Sequence, residues 1–162
     1  MRLLWLGMAV LELLYGSATV SDACTNENGE PLYDRPLYNS ELTVALPKDW
    51  RVVKSEPPGI MKYDDLLYYV QIGSRRVFAI DLTNNGSFSF ATNTTSTNVK
   101  NYEIWATEYR RDGVLTNVVV KPPCGGFWYV LMWPITKDPG ERRQVEASMK
   151  SIKCVASPRP GL

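Results

Sequence analysis

The side chains that could do covalent or acid–base chemistry in this 162-residue sequence are few. Histidine is absent, which removes the commonest general base and both the Ser–His and Cys–His nucleophile systems. Carboxylates remain, but Asp64 and Asp65 are adjacent, and strand neighbours point to opposite faces, so they form no dyad. The glycines of "CGGFW" (Cys124–Trp128) precede a strand-like run rather than a helix, so they do not build a phosphate cradle. Three widely spaced cysteines without histidine do not suit a metal site. The expectation is a non-catalytic protein with no cofactor.

The cysteines, Cys24, Cys124 and Cys154, point instead to a compartment. In an oxidising environment one intramolecular pair forms and one cysteine is left over. A Cys124–Cys154 bond closes a loop of about 30 residues, worth about 3–4 kcal/mol in the chain-entropy model. Pairing Cys24 with either partner closes a far longer loop, which adds only about 1 kcal/mol because the dependence is logarithmic. Entropy does not choose between the pairings; geometry does. Cys24 has a second candidate role as the acylated first residue of a bacterial envelope lipoprotein. "VSDAC", however, carries Ser21 and Asp22 where such sites usually hold an aliphatic and a small residue.

The start of the chain agrees with export. Met1-Arg2 is a short positive end, and "LLWLGMAVLELLYG" follows with the length of a signal h-region, interrupted by Glu12. It is shorter than the roughly 20 apolar residues of a membrane span. Small residues permit cleavage after Ala18 or after Ala23, which makes residues 1–23 the signal, 24–157 a single β-rich domain and 158–162 a tail. No transmembrane span is expected in the mature chain. Lys and Arg total 18 against 17 for Asp and Glu, so no net field draws nucleic acid. Two sequons, at Asn85 and Asn93, lie in or beside the polar loop Ser87–Asn101 and become glycan sites if the source is eukaryotic. Basic hairpin tips at Ser74–Arg76 and Tyr109–Gly113 offer Arg75, Arg76, Arg110 and Arg111 as a docking patch for an acidic protein.

The elements that must carry these groups are mostly strands. Five tryptophans and nine tyrosines accompany many Val, Ile and Thr residues, a composition suited to pleated surfaces. Residues 25–40 hold two prolines and no apolar period, and read as a loop. Leu42, Val44 and Leu46 alternate, a turn follows at Pro47–Asp49, and Trp50 and Val52 resume the pattern. Residues 66–72 and 77–82 flank a turn at Gly73–Arg76. In the first of these runs Leu66, Tyr68, Val70 and Ile72 face one way and Leu67, Tyr69 and Gln71 the other. Tyr102–Thr107 and Val114–Val120 flank Arg110-Arg111-Asp112-Gly113, whose Asp-Gly is a strong hairpin signal. Phe127–Ile135 reads as a buried strand. Asp138 as N-cap, Pro139 as first helical residue and Glu141 announce a helix with Val145, Met149 and Ile152 on one face and Arg142, Arg143, Glu146 and Lys150 outward. Because that helix ends at Cys154 and the preceding strand starts after Cys124, the Cys124–Cys154 pair is favoured and Cys24 is left over, free, lipidated or paired between chains.

A strand running into "ALPKDWRV" (Ala45–Val52), then hairpins, then an apolar strand and the helix "VEASMKSIK" (Val145–Lys153), resembles the order of PsbP-like and DcrB-like domains. The likeness covers the two ends of the chain. It implies an α/β sandwich, and many such proteins bind other proteins in the bacterial envelope or thylakoid. The residues themselves predict an α+β fold, mostly antiparallel sheet with a C-terminal amphipathic helix packed on it; a closed β-barrel or sandwich is the alternative. The expected function is a secreted or envelope-located binding protein that grips another protein through Tyr, Trp and Arg. A carrier of a small apolar ligand in a barrel cavity is the second reading, and an enzyme using carboxylates or Cys24 the third.

Overall fold

A computed structural model describes residues 20–25, 29–37, 40–55, 66–84, 86–90, 92–99, 106–124, 126 and 129–155. Residues 1–19 of the expected signal segment, Asp64-Asp65, Asn85, residues 102–105, Phe127-Trp128 and the expected tail lie outside them; of Cys24 only the backbone is described.

Among the described residues, eleven strands and one helix run in the order β1 (Val20–Thr25), β2 (Pro31–Pro36), β3 (Leu42–Leu46), β4 (Trp50–Lys54), β5 (Leu66–Ile72), β6 (Arg75–Thr83), β7 (Thr95–Val99), β8 (Ala106–Arg111), β9 (Val114–Val120), β10 (Tyr129–Pro134), α1 (Pro139–Lys150) and β11 (Lys153–Cys154). They form two antiparallel sheets, β1-β2-β3-β11 and β4-β5-β6-β10-β9-β8-β7. The fold is therefore α+β with one C-terminal helix on the sheet, as composition and periodicity predict. Neither sheet closes on itself: β4 and β7 end the larger one, so the barrel alternative is not formed. No helix among the described residues is long and apolar enough to cross a membrane.

The alternation of Leu42, Val44 and Leu46 buries all three, and the Pro47–Asp49 turn then carries the chain from one sheet to the other rather than closing a hairpin. That crossing unites the sheets around one core. Val44 and Leu46 of β3 share one buried cluster with Trp50, Tyr68, Phe78, Ile80, Leu115, Val118 and Met132 of the larger sheet and Val145, Met149 and Ile152 of the helical segment. Helix α1 packs on β3, β6 and β10. Its N-cap behaves as read from sequence, with Asp138 Oδ1 accepting from Glu141 N at 2.8 Å. β10 is central in the sheet but buries only Val130 and Met132 fully, leaving Tyr129, Leu131 and Trp133 half-buried on the opposite face.

Two segments read as loops are strands. Residues 31–36 form β2, which pairs with β3 through Tyr33↔Leu46 and Arg35↔Val44; its prolines stand at the two ends, where a missing donor costs little. Residues 95–99 form β7, an edge strand whose "TSTNV" is exposed except at Val99. Arg75 and Arg76, read as turn residues, open β6.

Cys124 and Cys154, 30 positions apart in sequence, form a disulfide with Cα atoms 6.0 Å apart. Because Cys154 belongs to β11 of the small sheet and Cys124 follows β9 of the large one, the bond ties sheet to sheet as well as strand to helix. Val155 N donates to Glu41 O at 2.8 Å and fixes the same corner.

Candidate functional site

The four arginines singled out in the sequence sit on two hairpins whose turns point to the same end of the large sheet. β6 and β8 are antiparallel across β10 and β9, so the start of β6 and the end of β8 lie three strand spacings apart, about 14 Å. Both turns follow from local chemistry. Asp112 and Gly113 both take positive φ, 51° and 77°, the arrangement of a two-residue I′ turn that Asp-Gly tolerates best. Gly73 supplies φ 59° for the other.

A bulge beside each turn decides where the arginines go. In β6 the register against β5 slips between Phe78 and Arg76, leaving Val77 unmatched. Val77 is buried, and its carbonyl accepts from Ile135 N and Thr136 N at 2.8 and 3.0 Å, which guides the chain into α1. The slip puts Arg75 on the helix face and Arg76 on the outer face. In β9 the slip leaves Thr116 unmatched, its hydroxyl donating to Tyr109 O at 2.9 Å, and it turns Leu115 into the core. A bulge re-aims side chains in this way because it interrupts the period of two.

On the helix face the arginines are engaged internally. Arg75 makes a two-pronged contact with Glu141, its Nη1 donating to Oε2 at 2.7 Å. The Thr136 hydroxyl donates to the same carboxylate at 2.6 Å and accepts from Asp138 N at 3.2 Å. The capping box is thus relayed through Thr136, since Glu141 is taken by Arg75. Arg75 and Thr136 together lower the Glu141 carboxyl to about 2, and the same contact raises the Arg75 guanidinium. Arg110 spans Glu108 (2.9 Å), Glu146 (3.2 Å) and the Gly113 carbonyl (3.1 Å). Burial would lower its pKa, but Glu108 and Glu146 outweigh that and raise it. Glu108 is itself only 6% exposed. Arg142, expected to point outward, donates to Leu115 O at 2.6 Å. These contacts clamp α1 to the sheet.

The outer face keeps the other two arginines. Arg76 lies over the Tyr69 ring, its guanidinium carbon 3.8 Å from the centroid, and Arg111 is exposed opposite Val114. Between them the odd-numbered positions of the strands present half-buried Leu67, Tyr69, Leu131, Trp133, Val119 and Tyr109. The segment Gly86–Phe90 crosses this face. Phe88 meets Tyr129 edge-on at 5.4 Å, and Phe90 lies 4.0 Å from Tyr109. Gly86 is needed there, because a Cβ would stand 2.8 Å from the Tyr129 ring. An open cleft of about 430 Å³ remains beside the segment, lined by Ser87–Phe90, Asn117, Leu131 and Trp133. Sequence reading placed Tyr69 on this face but missed Trp133, because Phe127–Ile135 is apolar at every position and carries no visible period.

Asn93 is exposed in the turn just before β7. Thr95 of the same sequon opens that edge strand, its hydroxyl donating to Arg110 O at 3.2 Å. No group of three or more His, Cys, Asp or Glu side chains suited to a metal ion occurs among the described residues. Comparison with known proteins finds no matching family model, no matching curated protein and no matching solved structure. The likeness to PsbP-like and DcrB-like domains rests on the two ends of the sequence alone.

Proposed function

We propose that the chain is a secreted, disulfide-stabilised, non-catalytic binding domain that grips an acidic protein partner with the outer face of its large sheet. The observation that carries this reading is the division of labour among the arginines. Arg75 and Arg110 are spent on the helix, whereas Arg76 and Arg111 flank a face of half-buried Tyr, Trp and Leu with no second sheet or helix packed over it among the described residues. Aromatic and Arg side chains of this kind dominate interface energetics, and flanking cations steer an acidic partner.

Export fits the inter-sheet disulfide, and the position of β1 favours one cleavage site. Cleavage after Ala18 leaves Val20–Thr25 whole to pair with β2, whereas cleavage after Ala23 would remove most of that strand. It also makes Cys24 an internal residue, which cannot be acylated as a lipoprotein's first. The mature protein is expected to begin at Thr19, and Asn93 to carry a glycan in a eukaryotic host; intact mass reads both. For the binding surface, a photo-crosslinking residue at position 133 should capture one protein, and the same residue at position 143 on the helix should not. Purified, that protein should bind the unmodified chain saturably and bind Trp133→Ala about tenfold more weakly. Equal capture from both positions would sink the reading.

A further inference from the structure

A second group of cations without ion pairs among the described residues lies at the junction of the two sheets. A cleft of about 370 Å³ there is lined by Arg35 and Pro36 of β2, Lys48 and Asp49 of the crossing turn, and Trp50, Arg51 and Val52 of the edge strand β4. We propose that this cleft is a binding site for an oxyanion, a carboxylate or phosphate-type group. Three cations and one carboxylate line it. Lys48 and Asp49 are exposed, and neither side chain has an ion pair among the described residues.

Arg35 supplies the specific observation. Register with Val44 puts it on the core-facing side of β2, and its Nε–H is buried with no hydrogen-bond partner. Among the described residues its Nη2 reaches the Lys48 carbonyl alone, at a long 3.4 Å, and the guanidinium carbon lies 6.0 Å from the Tyr33 centroid, at the limit of a cation–π contact. A buried donor on a charged group without an acceptor is unfavourable. A planar carboxylate or a phosphate docking side-on takes Nε–H and Nη2–H together, the geometry in which guanidinium binds oxyanions best. Lys48 then adds a mobile point charge from the turn. Arg51 contributes charge while one of its nitrogens is held by Gly73 O at 2.7 Å. Asp49 opposes the anion and favours a group small enough to sit toward Arg35. The site is separate from the outer-face aromatics, so either can fail without the other.

The test is a two-dimensional NMR titration of the mature disulfide-bonded chain at constant ionic strength, with inorganic phosphate in one arm and a capped tri-glutamate peptide in the other. Saturable shifts confined to Arg35 Nε–H, Lys48, Trp50 and their neighbours are expected, weakened about tenfold by Arg35→Gln. Lys48→Gln, at an exposed turn, weakens binding with unchanged melting temperature and guards against a folding defect in the first variant. Saturation by phosphate alone assigns the site to a free oxyanion, and tighter binding of the peptide assigns it to an acidic chain. Linear shifts matching those from chloride, or undiminished affinity in both variants, would overturn the proposal.

Discussion

Replacing both Cys124 and Cys154 by serine probes the joint between the two sheets and leaves Cys24 untouched. The bond closes a loop of 30 residues, for which the chain-entropy relation gives about 3–4 kcal/mol of stabilisation through the unfolded state. The corner has other ties, namely the two-residue pairing of β11 with β3 and the Val155–Glu41 hydrogen bond, so the native fold should survive the change. For a domain of this size each kcal/mol moves the melting temperature by about 4 °C, so the double variant should melt about 10–15 °C below the parent. Circular dichroism melts and urea curves measure this, each with and without a phosphine reductant. The parent should fall to the variant's midpoint on reduction, the variant should not respond, and Cys24→Ser should keep the parent's redox sensitivity. A double variant melting within two or three degrees of the parent would show that this bond does not hold the joint, as would loss of redox sensitivity in Cys24→Ser.

Three further outcomes follow from the helix clamp. Because Glu141 has a pKa lowered from 4.5 to about 2 by Arg75 and Thr136, its contribution to stability is full above the unfolded value and is lost as pH falls from about 4.5 through about 2. Glu141→Gln should therefore melt below the parent at pH 7, with the two curves converging near pH 2; a constant gap across that window would contradict the assignment. Arg110→Ala should cost on the order of 2–3 kcal/mol in urea unfolding, because it removes the ion pair of the buried Glu108 carboxylate, whereas loss of the more exposed Arg75 at neutral pH should matter less. Adding Glu108→Gln to Arg110→Ala should recover part of that loss, since the buried negative charge is then gone, and no recovery would contradict that origin of the cost.

How far the sequence could be read depended on whether a feature was local. The Asp112-Gly113 hairpin and the helix announced themselves because turn, cap and period all lie within a dozen residues. Leu42, Val44 and Leu46 showed a strand, but not that β3 would pair with β2 and β11 while β4 joined the other sheet; that choice is made by residues a hundred positions away, as in Lys153↔Thr43. β7 was invisible because an exposed edge strand buries no alternating face. β2 was hidden by prolines that turn out to flank it. The site depended on the least visible events of all, the one-residue slips at Val77 and Thr116. The sequence marked four arginines as a group, and those slips divide them between helix and outer face. Arg35, Lys48 and Arg51 gave no signal because two separate stretches, β2 and the turn into β4, bring them to one cleft.

The central claim is that the outer face, and not the helix face, meets the partner. Binding of the captured partner by surface plasmon resonance at two salt concentrations, with Arg76→Glu/Arg111→Glu set against Arg143→Glu, tests it most directly. The first pair of changes should slow association at least about tenfold at low salt, with a smaller difference at high salt, and Arg143→Glu should leave the rate unchanged. Equal losses from both variants, or a loss from Arg143→Glu alone, would contradict it.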